Sequence, residues 1–222
     1  MPVLAIVGAG SGLGLSIARR FGREGYRIAL VARDRQKLDG LVSTLAGDGI
    51  EAAAFRADVL DATSVVSAFA AIEERFGPVD VLEYSPAPHS PVPGVTPESV
   101  LDVTVENLQP QVAYYLYGAV TAAQQVLPAM LERGAGAALF TTGAGSVHPV
   151  PLMGNINAAA AALRNWAINL HAAAGERGVY AAHVAIGVFI GDGKPENEPD
   201  AIADLYWRIV ADRSGAEHTY EA

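Results

Sequence analysis

A single-domain, doubly wound parallel α/β sheet with helices on both faces is the fold class this sequence predicts. Three observations carry it. Short apolar runs alternate with longer amphipathic stretches along the chain, the first run ends in a glycine-rich turn, and 222 residues at 51% hydrophobic and 18% charged content suffice for one core. Parallel neighbours need crossover connections, and strands covered on both faces read as unbroken apolar runs.

Val3–Val7 is such a run, closed by glycines, and Leu13 to Gly22 reads as the first helix. Arg27–Ala32 gives a second strand, with a helix from about Gln36 to Leu45 behind it. The rhythm continues through a strand at Ala52–Arg56, a helix at Ser64–Phe76, and a strand at Val79–Glu83. A long helix at Leu108–Glu132 follows, with Pro110 in its first turn if Asn107 caps it, then a strand at Ala137–Thr142, a helix at Ala158–Ala174 and a strand at Tyr180–Ile186. Two stretches break the pattern. Pro86–Pro97 carries five prolines and must be a stiff connection. Gly191–Asp200 is polar and rich in breakers, which predicts a mobile loop beside a substrate pocket. No repeat and no interdomain linker appears, so residues 1–222 form one domain.

Composition excludes several functions. Fifteen Lys+Arg against 24 Asp+Glu give a net charge of −9 without a basic cluster, which argues against nucleic acid, whose affinity comes from neutralised phosphates. With no cysteine there is no thiolate metal site, no thiol nucleophile and no disulfide. No pair among the five histidines has metal-ligand spacing with a carboxylate, so no metal is expected. No apolar run is long enough to span a bilayer and no signal-peptide pattern is visible, so the expectation is a cytoplasmic protein that does not engage membranes.

The strongest motif is Gly8-Ala9-Gly10-Ser11-Gly12-Leu13-Gly14, after the first strand and at the start of the first helix. A tight turn there lets backbone N–H groups approach a pyrophosphate while the helix N-terminus adds positive potential, so the loop predicts nucleotide binding.

The spacing of Gly8, Gly12 and Gly14 resembles the short-chain dehydrogenase/reductase family, whose loop reads Gly-x-x-x-Gly-x-Gly. Further parts recur in order: Asp58-Val59 after the third strand, Gly118 through Leu127-Pro128-Ala129-Met130, and Arg177-Gly178-Val179 before the strand at Tyr180. The resemblance implies a Rossmann-type sheet, a nicotinamide cofactor, contact of Asp58 with adenine, and a homodimer or homotetramer packed through the long helix. Ser85 lies in the turn after the fourth strand, which reads Tyr84-Ser85-Pro86-Ala87 where the family has Asn-Asn-Ala-Gly. At the end of the second strand Ala32 stands where members using NAD carry an acidic residue, and Arg33 follows as in members using NADP. NADP(H) is therefore expected over NAD(H), unless Arg33 is only paired with Asp34. Ser11 and Arg35 are candidate helpers.

The family's redox chemistry uses Asn, Ser, Tyr and Lys. Counting from the landmarks puts Tyr115, Gly143, Ile156 and Ala160 at those four places; a one-residue gap would bring Asn155 or Asn157 and Thr142 there instead, but no Lys. Tyr115 itself and His148 are candidates for proton transfer. Tyr115 either reaches into the emptied space or simply fills it. His148, in Ser146-Val147-His148-Pro149, is either an acid at a pocket edge or a surface histidine, and His89 lies in the proline-rich loop. His171 and His183 read as structural, and His218 lies near a tail. The favoured reading is an NADP(H)-dependent oxidoreductase acting on a small carbonyl or enone compound with a substituted proton donor. The alternative is a non-redox protein on the same scaffold: a regulatory NADP-binding protein, or an isomerase, dehydratase or cyclase.

Overall fold

The computed structural model describes residues 1–87, 92 and 94–221, so His89 and part of the proline-rich connection lie outside the described residues. Seven parallel strands form one sheet in the order β3-β2-β1-β4-β5-β6-β7. They are β1 (Val3–Val7), β2 (Arg27–Ala32), β3 (Ala52–Arg56), β4 (Val81–Tyr84), β5 (Gly136–Gly143), β6 (Val179–Ile186) and β7 (Glu217–Tyr220). The helices are α1 (Leu13–Arg23), α2 (Arg35–Gly47), α3 (Ala62–Phe76), α4 (Val105–Val112), α5 (Gly118–Arg133), α6 (Gly154–Gly175) and α7 (Pro199–Asp212). This is the doubly wound Rossmann-type sheet that the sequence predicts.

Every residue of β1 is buried, as a strand covered on both faces requires. One face packs under α1, α2 and α7 through Ile17, Phe21, Leu38 and Tyr206. The other packs under α3, α5 and α6 through Phe69, Ile72, Val126 and Leu163. Each large apolar side chain buried this way contributes about 1.5–3 kcal/mol relative to exposure.

The structure corrects several sequence boundaries. Helix α4 begins at Val105, and its cap is Thr104, whose hydroxyl accepts from the Asn107 N–H (3.3 Å) while the Asn107 side chain accepts from the Thr104 N–H (3.0 Å). The long helix is also interrupted: Ala113–Tyr117 is a π-turn joining α4 to α5. Its cause is visible in β4. The Tyr84 hydroxyl donates to the Tyr114 carbonyl at 2.7 Å, and a Cβ on Gly118 would come within 2.3 Å of that hydroxyl. A buried phenol thus takes a partner from the helix backbone, and only glycine lets it in.

The stretch at 191–200, expected as a mobile loop, is a hydrogen-bonded turn that runs into α7. Gly191 N–H donates to Asn197 O (2.9 Å), and Asp192 accepts from the Lys194 N–H and from the buried Asn197 amide at 3.0 Å each. Tyr220 also donates to the Glu196 carbonyl. His218 lies in β7 rather than a tail, its Nε2 3.0 Å from the Tyr180 hydroxyl.

Candidate functional site

The loop after β1 is shaped by its glycines. Gly8 has φ +97°, and a Cβ there would lie 2.6 Å from the Pro86 backbone, so β1's turn and the turn after β4 touch main chain to main chain. Gly8 and Ala9 both donate to Val31 O, at 2.9 and 3.2 Å, which fastens the loop to the end of β2. A Cβ on Gly14 would come within 3.2 Å of Ala9, whereas one on Gly12 would meet nothing within 4 Å. Protein packing therefore does not demand Gly12, whose backbone faces open space. Among the described residues the N–H groups of Gly10 through Gly14 have no protein acceptor, and Leu15 N–H is the first to bond, to Gly10 O at 2.9 Å. Gly12 caps α1 without a side-chain bond, and no acidic residue stands in the first turn. The result is a cradle of donors at the positive end of a helix, suited to an anionic phosphate.

At the end of β2 the Arg33 guanidinium makes no ion pair among the described residues. Asp34 is instead the cap of α2, accepting from the Lys37 N–H at 3.1 Å, so the Arg33–Asp34 pairing weighed from the sequence does not form. Arg35 is engaged with Asp39 at 2.9 Å. Asp58 and Val59 stand at the adjacent end of β3, where Val59 packs against the small cluster of Val92, Val95 and Tyr114. Burial pushes the Tyr114 phenol well above its ordinary value, and the nearby Arg33 charge opposes that rise while Asp58 adds to it. Arg33, Asp58, Val59 and Tyr114 thus share one neighbourhood beside the glycine loop.

The places implied for the family's four catalytic groups carry no titrating pair. Tyr115 packs edge-on against Tyr114, with ring centroids 5.2 Å apart, and burial raises its phenol. Gly143 ends β5, Ile156 lies in the first turn of α6, and Ala160 is buried. The neighbours that a one-residue gap would substitute are tied up structurally. Asn155 donates to Thr96 O (2.9 Å) and accepts from Glu98 N–H (2.9 Å), and Asn157 donates to Val150 O at 3.0 Å. Thr142 is different: its hydroxyl meets Ser146 Oγ and His183 Nε2, each at 2.8 Å.

Beyond β5 and β6 the chain opens a cleft of about 510 Å³, walled by Gly145, His148, Phe189, Asp192, Lys194 and Glu221 among others. His148 is on its rim with the side chain 69% exposed and Nε2 3.5 Å from Glu221, while Tyr115 is not among the lining residues. Phe189 is 87% exposed there. Among the described residues no group of three His, Asp or Glu side chains is arranged to hold a metal ion.

One buried acid escaped the sequence reading. Glu83 of β4 is 1% exposed; it accepts from Ser85 Oγ at 2.8 Å and from Thr141 Oγ1 at 3.1 Å, and Thr141 lies 2.7 Å from the Tyr206 hydroxyl. Burial raises its carboxyl to about 7, against which the two hydroxyl donors pull. The signal was present, since Val81-Leu82-Glu83-Tyr84 places a lone carboxylate in an apolar strand. It joins Ser85, in the turn against Gly8, to the core.

With this geometry described, comparison with known proteins decides the family: the short chain dehydrogenase model matches residues 2–200. The chain belongs to the short-chain dehydrogenase family. A Streptomyces coelicolor protein named "Putative ketoacyl reductase" is 38% identical over 159 residues, 67% of this chain and 57% of its own. "Dehydrogenase/reductase SDR family member 4" of Sus scrofa is 29% identical over 168 residues, 76% of this chain and 58% of its own. The matched stretches thus span under two thirds of these two relatives. Among solved structures, an L-sorbose reductase of Gluconobacter frateurii complexed with NADPH and L-sorbose superposes with TM-score 0.84 at 21% identity, covering 99% of this chain and 95% of that one. An alcohol dehydrogenase of Thermococcus sibiricus complexed with 5-hydroxy-NADP gives 0.82 at 25% identity, covering 99% and 96%. As a member of this family the chain is oxidoreductase-like in fold and sequence. Among its described residues no helix is long and apolar enough to cross a membrane.

Proposed function

We propose that this short-chain dehydrogenase is an NADP(H)-dependent reductase of a small carbonyl or enone compound. The observation that carries the reading is the pairing of an open donor cradle at Gly10–Gly14 with an Arg33 guanidinium that no carboxylate among the described residues neutralises. The cradle suits the pyrophosphate, Arg33 the 2′-phosphate, and Asp58, Val59 and Ser85 the remaining edge of a dinucleotide. Bound there, the cofactor would supply or accept hydride at the carbon end of a C=O or C=C bond. The chain's own task is then to seat that bond in the cleft at the ends of β5 and β6. His148 meets the substrate at the rim, while Tyr115, packed edge-on against Tyr114, lies outside the cleft lining.

NADPH consumption followed against ketones, quinones and enones tests this directly. Stoichiometric NADP+ production is expected. His148→Ala should raise KM about 3- to 10-fold with a smaller change in kcat, and Tyr115→Phe should leave both within about twofold, as removal of a rim contact and of a hydroxyl outside the cleft lining would. A kcat loss of 100-fold in either variant would make that residue the proton donor.

A second reading is favoured by the apolar Gly143, Ile156 and Ala160 at the places of the family's reactive groups. On it the chain binds NADP(H) without turnover, as a regulatory protein or a non-redox catalyst; tight NADPH binding with no oxidation on the whole panel would select it. Self-association as a homodimer or homotetramer through α4, the π-turn and α5, whose Val112, Leu116 and Val120 are only partly buried, is also proposed, and a monomer mass by light scattering would sink it.

A further inference from the structure

Five polar side chains form a continuous hydrogen-bonded line through the α6 side of the sheet. Arg164 of α6 makes a two-pronged pair with Glu217 of β7, one prong being Nη2 to Oε2 at 2.7 Å. Glu217 Oε1 lies 3.0 Å from His183 Nδ1 on β6, and His183 Nε2 lies 2.8 Å from Thr142 Oγ1 on β5. The Thr142 hydroxyl donates to Ser146 Oγ at 2.8 Å, and Ser146 donates to Gly143 O at 3.1 Å; Ser146 sits one layer behind the cleft, whose wall its neighbours Gly145 and His148 form. The outer end is open to water, with Arg164 and Glu217 side chains 33% and 26% exposed, while His183 is fully buried and Thr142 and Ser146 nearly so.

The chemistry of these groups gives the line a direction. Arg164 holds the Glu217 carboxyl below its ordinary value, so it is ionised and only accepts. His183 must then carry a proton on Nδ1, and because the Thr142 hydroxyl donates to Ser146 Oγ, it accepts from Nε2 when the ring is doubly protonated. That is the arrangement in which a carboxylate orients an imidazole and the imidazole exchanges a proton with a hydroxyl. Anchoring β7 to β6 does not require it, since apolar residues of similar size would pack there without burying a histidine.

We propose that Ser146, Thr142 and His183 form a proton relay serving the cleft, with Glu217 and Arg164 holding the imidazole in register. This rests on the reductase reading of the same site. In the reducing direction the carbonyl carbon accepts hydride from the reduced nicotinamide dinucleotide, and the π pair moves to oxygen. That oxygen takes the Ser146 hydroxyl proton, Ser146 takes Thr142's, Thr142 takes the Nε2 proton of the imidazolium, and the ring returns to neutral. Oxidation runs the same protons backwards. Two charged groups face the ring, Glu217 from β7 and Arg164 from α6; β5 contributes only the Thr142 hydroxyl. Burial favours the neutral ring and lowers its pKa, and Glu217 opposes that.

Two measurements test the relay. The first needs no cofactor: long-range 1H–15N spectra of His183 across pH 5–8. A ring that carries its proton on Nδ1 at pH 8 and titrates reversibly in the folded protein is expected; a ring locked in one charge state across that range overturns the relay. The second compares Thr142→Val and Thr142→Ser with wild type in NADPH-dependent carbonyl reduction. Thr142→Val should lower kcat at least 100-fold and remove the His183 ionisation from its pH profile at unchanged NADPH affinity, and Thr142→Ser should restore kcat to within about threefold of wild type. Wild-type turnover that Thr142→Val retains overturns the relay and leaves the reductase reading standing. No turnover by wild type on the whole panel overturns the reductase reading and with it the relay's role, whatever His183 does in the spectra.

Discussion

Gly8→Ala should destabilise the protein by about 3 kcal/mol or more and abolish nucleotide binding. Two costs add at this position. A non-glycine residue held at φ +97° carries backbone strain of about 1–3 kcal/mol. Its Cβ would also lie 2.6 Å from the Pro86 Cα and N, contacts that only a movement of main chain relieves, which is overpacking of about 1–3 kcal/mol. Pro86 cannot yield cheaply, because its ring fixes φ and Ser85 before it is bonded to Val7 O at 2.9 Å. The loop would shift as a unit, carrying the Gly10–Gly14 donors with it. Thermal melts with and without NADPH check this: a lower Tm and no ligand-induced rise are expected. Gly12→Ala is the companion, since its Cβ meets no protein atom within 4 Å. Its Tm should match wild type while nucleotide affinity falls, because the methyl fills the face of the cradle. Equal effects of the two substitutions on Tm would count against this division of roles.

The second large effect concerns Glu83. Its carboxyl is raised to about 7 in the folded protein against an ordinary value of 4.5. The folded state therefore holds a proton that the unfolded state releases as pH rises from 4.5 to 7. Stability from this group is full below 4.5 and is lost through 7, by about 3 kcal/mol at about 1.4 kcal/mol per pH unit. Above 7 the folded protein carries a buried carboxylate stabilised only by Ser85 and Thr141. Glu83→Gln removes the charge and keeps an amide able to bond both hydroxyls. At pH 8 its Tm should exceed wild type by about 6–12 °C, taking about 2–4 °C per kcal/mol for a chain of this size. At pH 5 the gap should shrink towards zero. A gap that is the same at both pH values would contradict the assignment. His183 titrates the other way, since its lowered pKa makes stability fall as pH drops through about 6.5, so the wild-type-minus-variant difference isolates Glu83.

Much of the fold was legible because it rests on local chemistry. Val3–Val7, Arg27–Ala32 and Ala52–Arg56 are apolar runs that the sheet uses with those same bounds. The glycine loop was equally legible, since φ > 0 and backbone contact at Gly8 are demands that a sequence writes as glycine. Helix α7 was missed because the breakers in 191–200 read as a loop. Pro199 in fact occupies the first turn of α7, where its missing N–H is harmless, and Ile202, Tyr206 and Ile209 behind it do carry helical spacing. Strand β7, Glu217-His218-Thr219-Tyr220, has no apolar pattern, and its pairing with β6 makes it a strand. The π-turn was illegible for a related reason, being set by the Tyr84 hydroxyl from another element. In the site, Arg33, Asp58 and Ser85 could be named because each stands at a strand end. Thr142, His183 and Glu217 could not be joined, since 41 and 34 residues separate successive members and only adjacent strands bring them into line.

Calorimetric titration of the protein with NADPH and NADH, repeated on Arg33→Ala, tests the central claim most directly. NADPH should bind at least about tenfold more tightly than NADH, as loss or gain of one charge-assisted phosphate contact of about 1.5–3 kcal/mol implies. Arg33→Ala should erase that preference by weakening NADPH alone. Equal affinity of the wild-type protein for both nucleotides, or a preference that survives Arg33→Ala, would contradict the account.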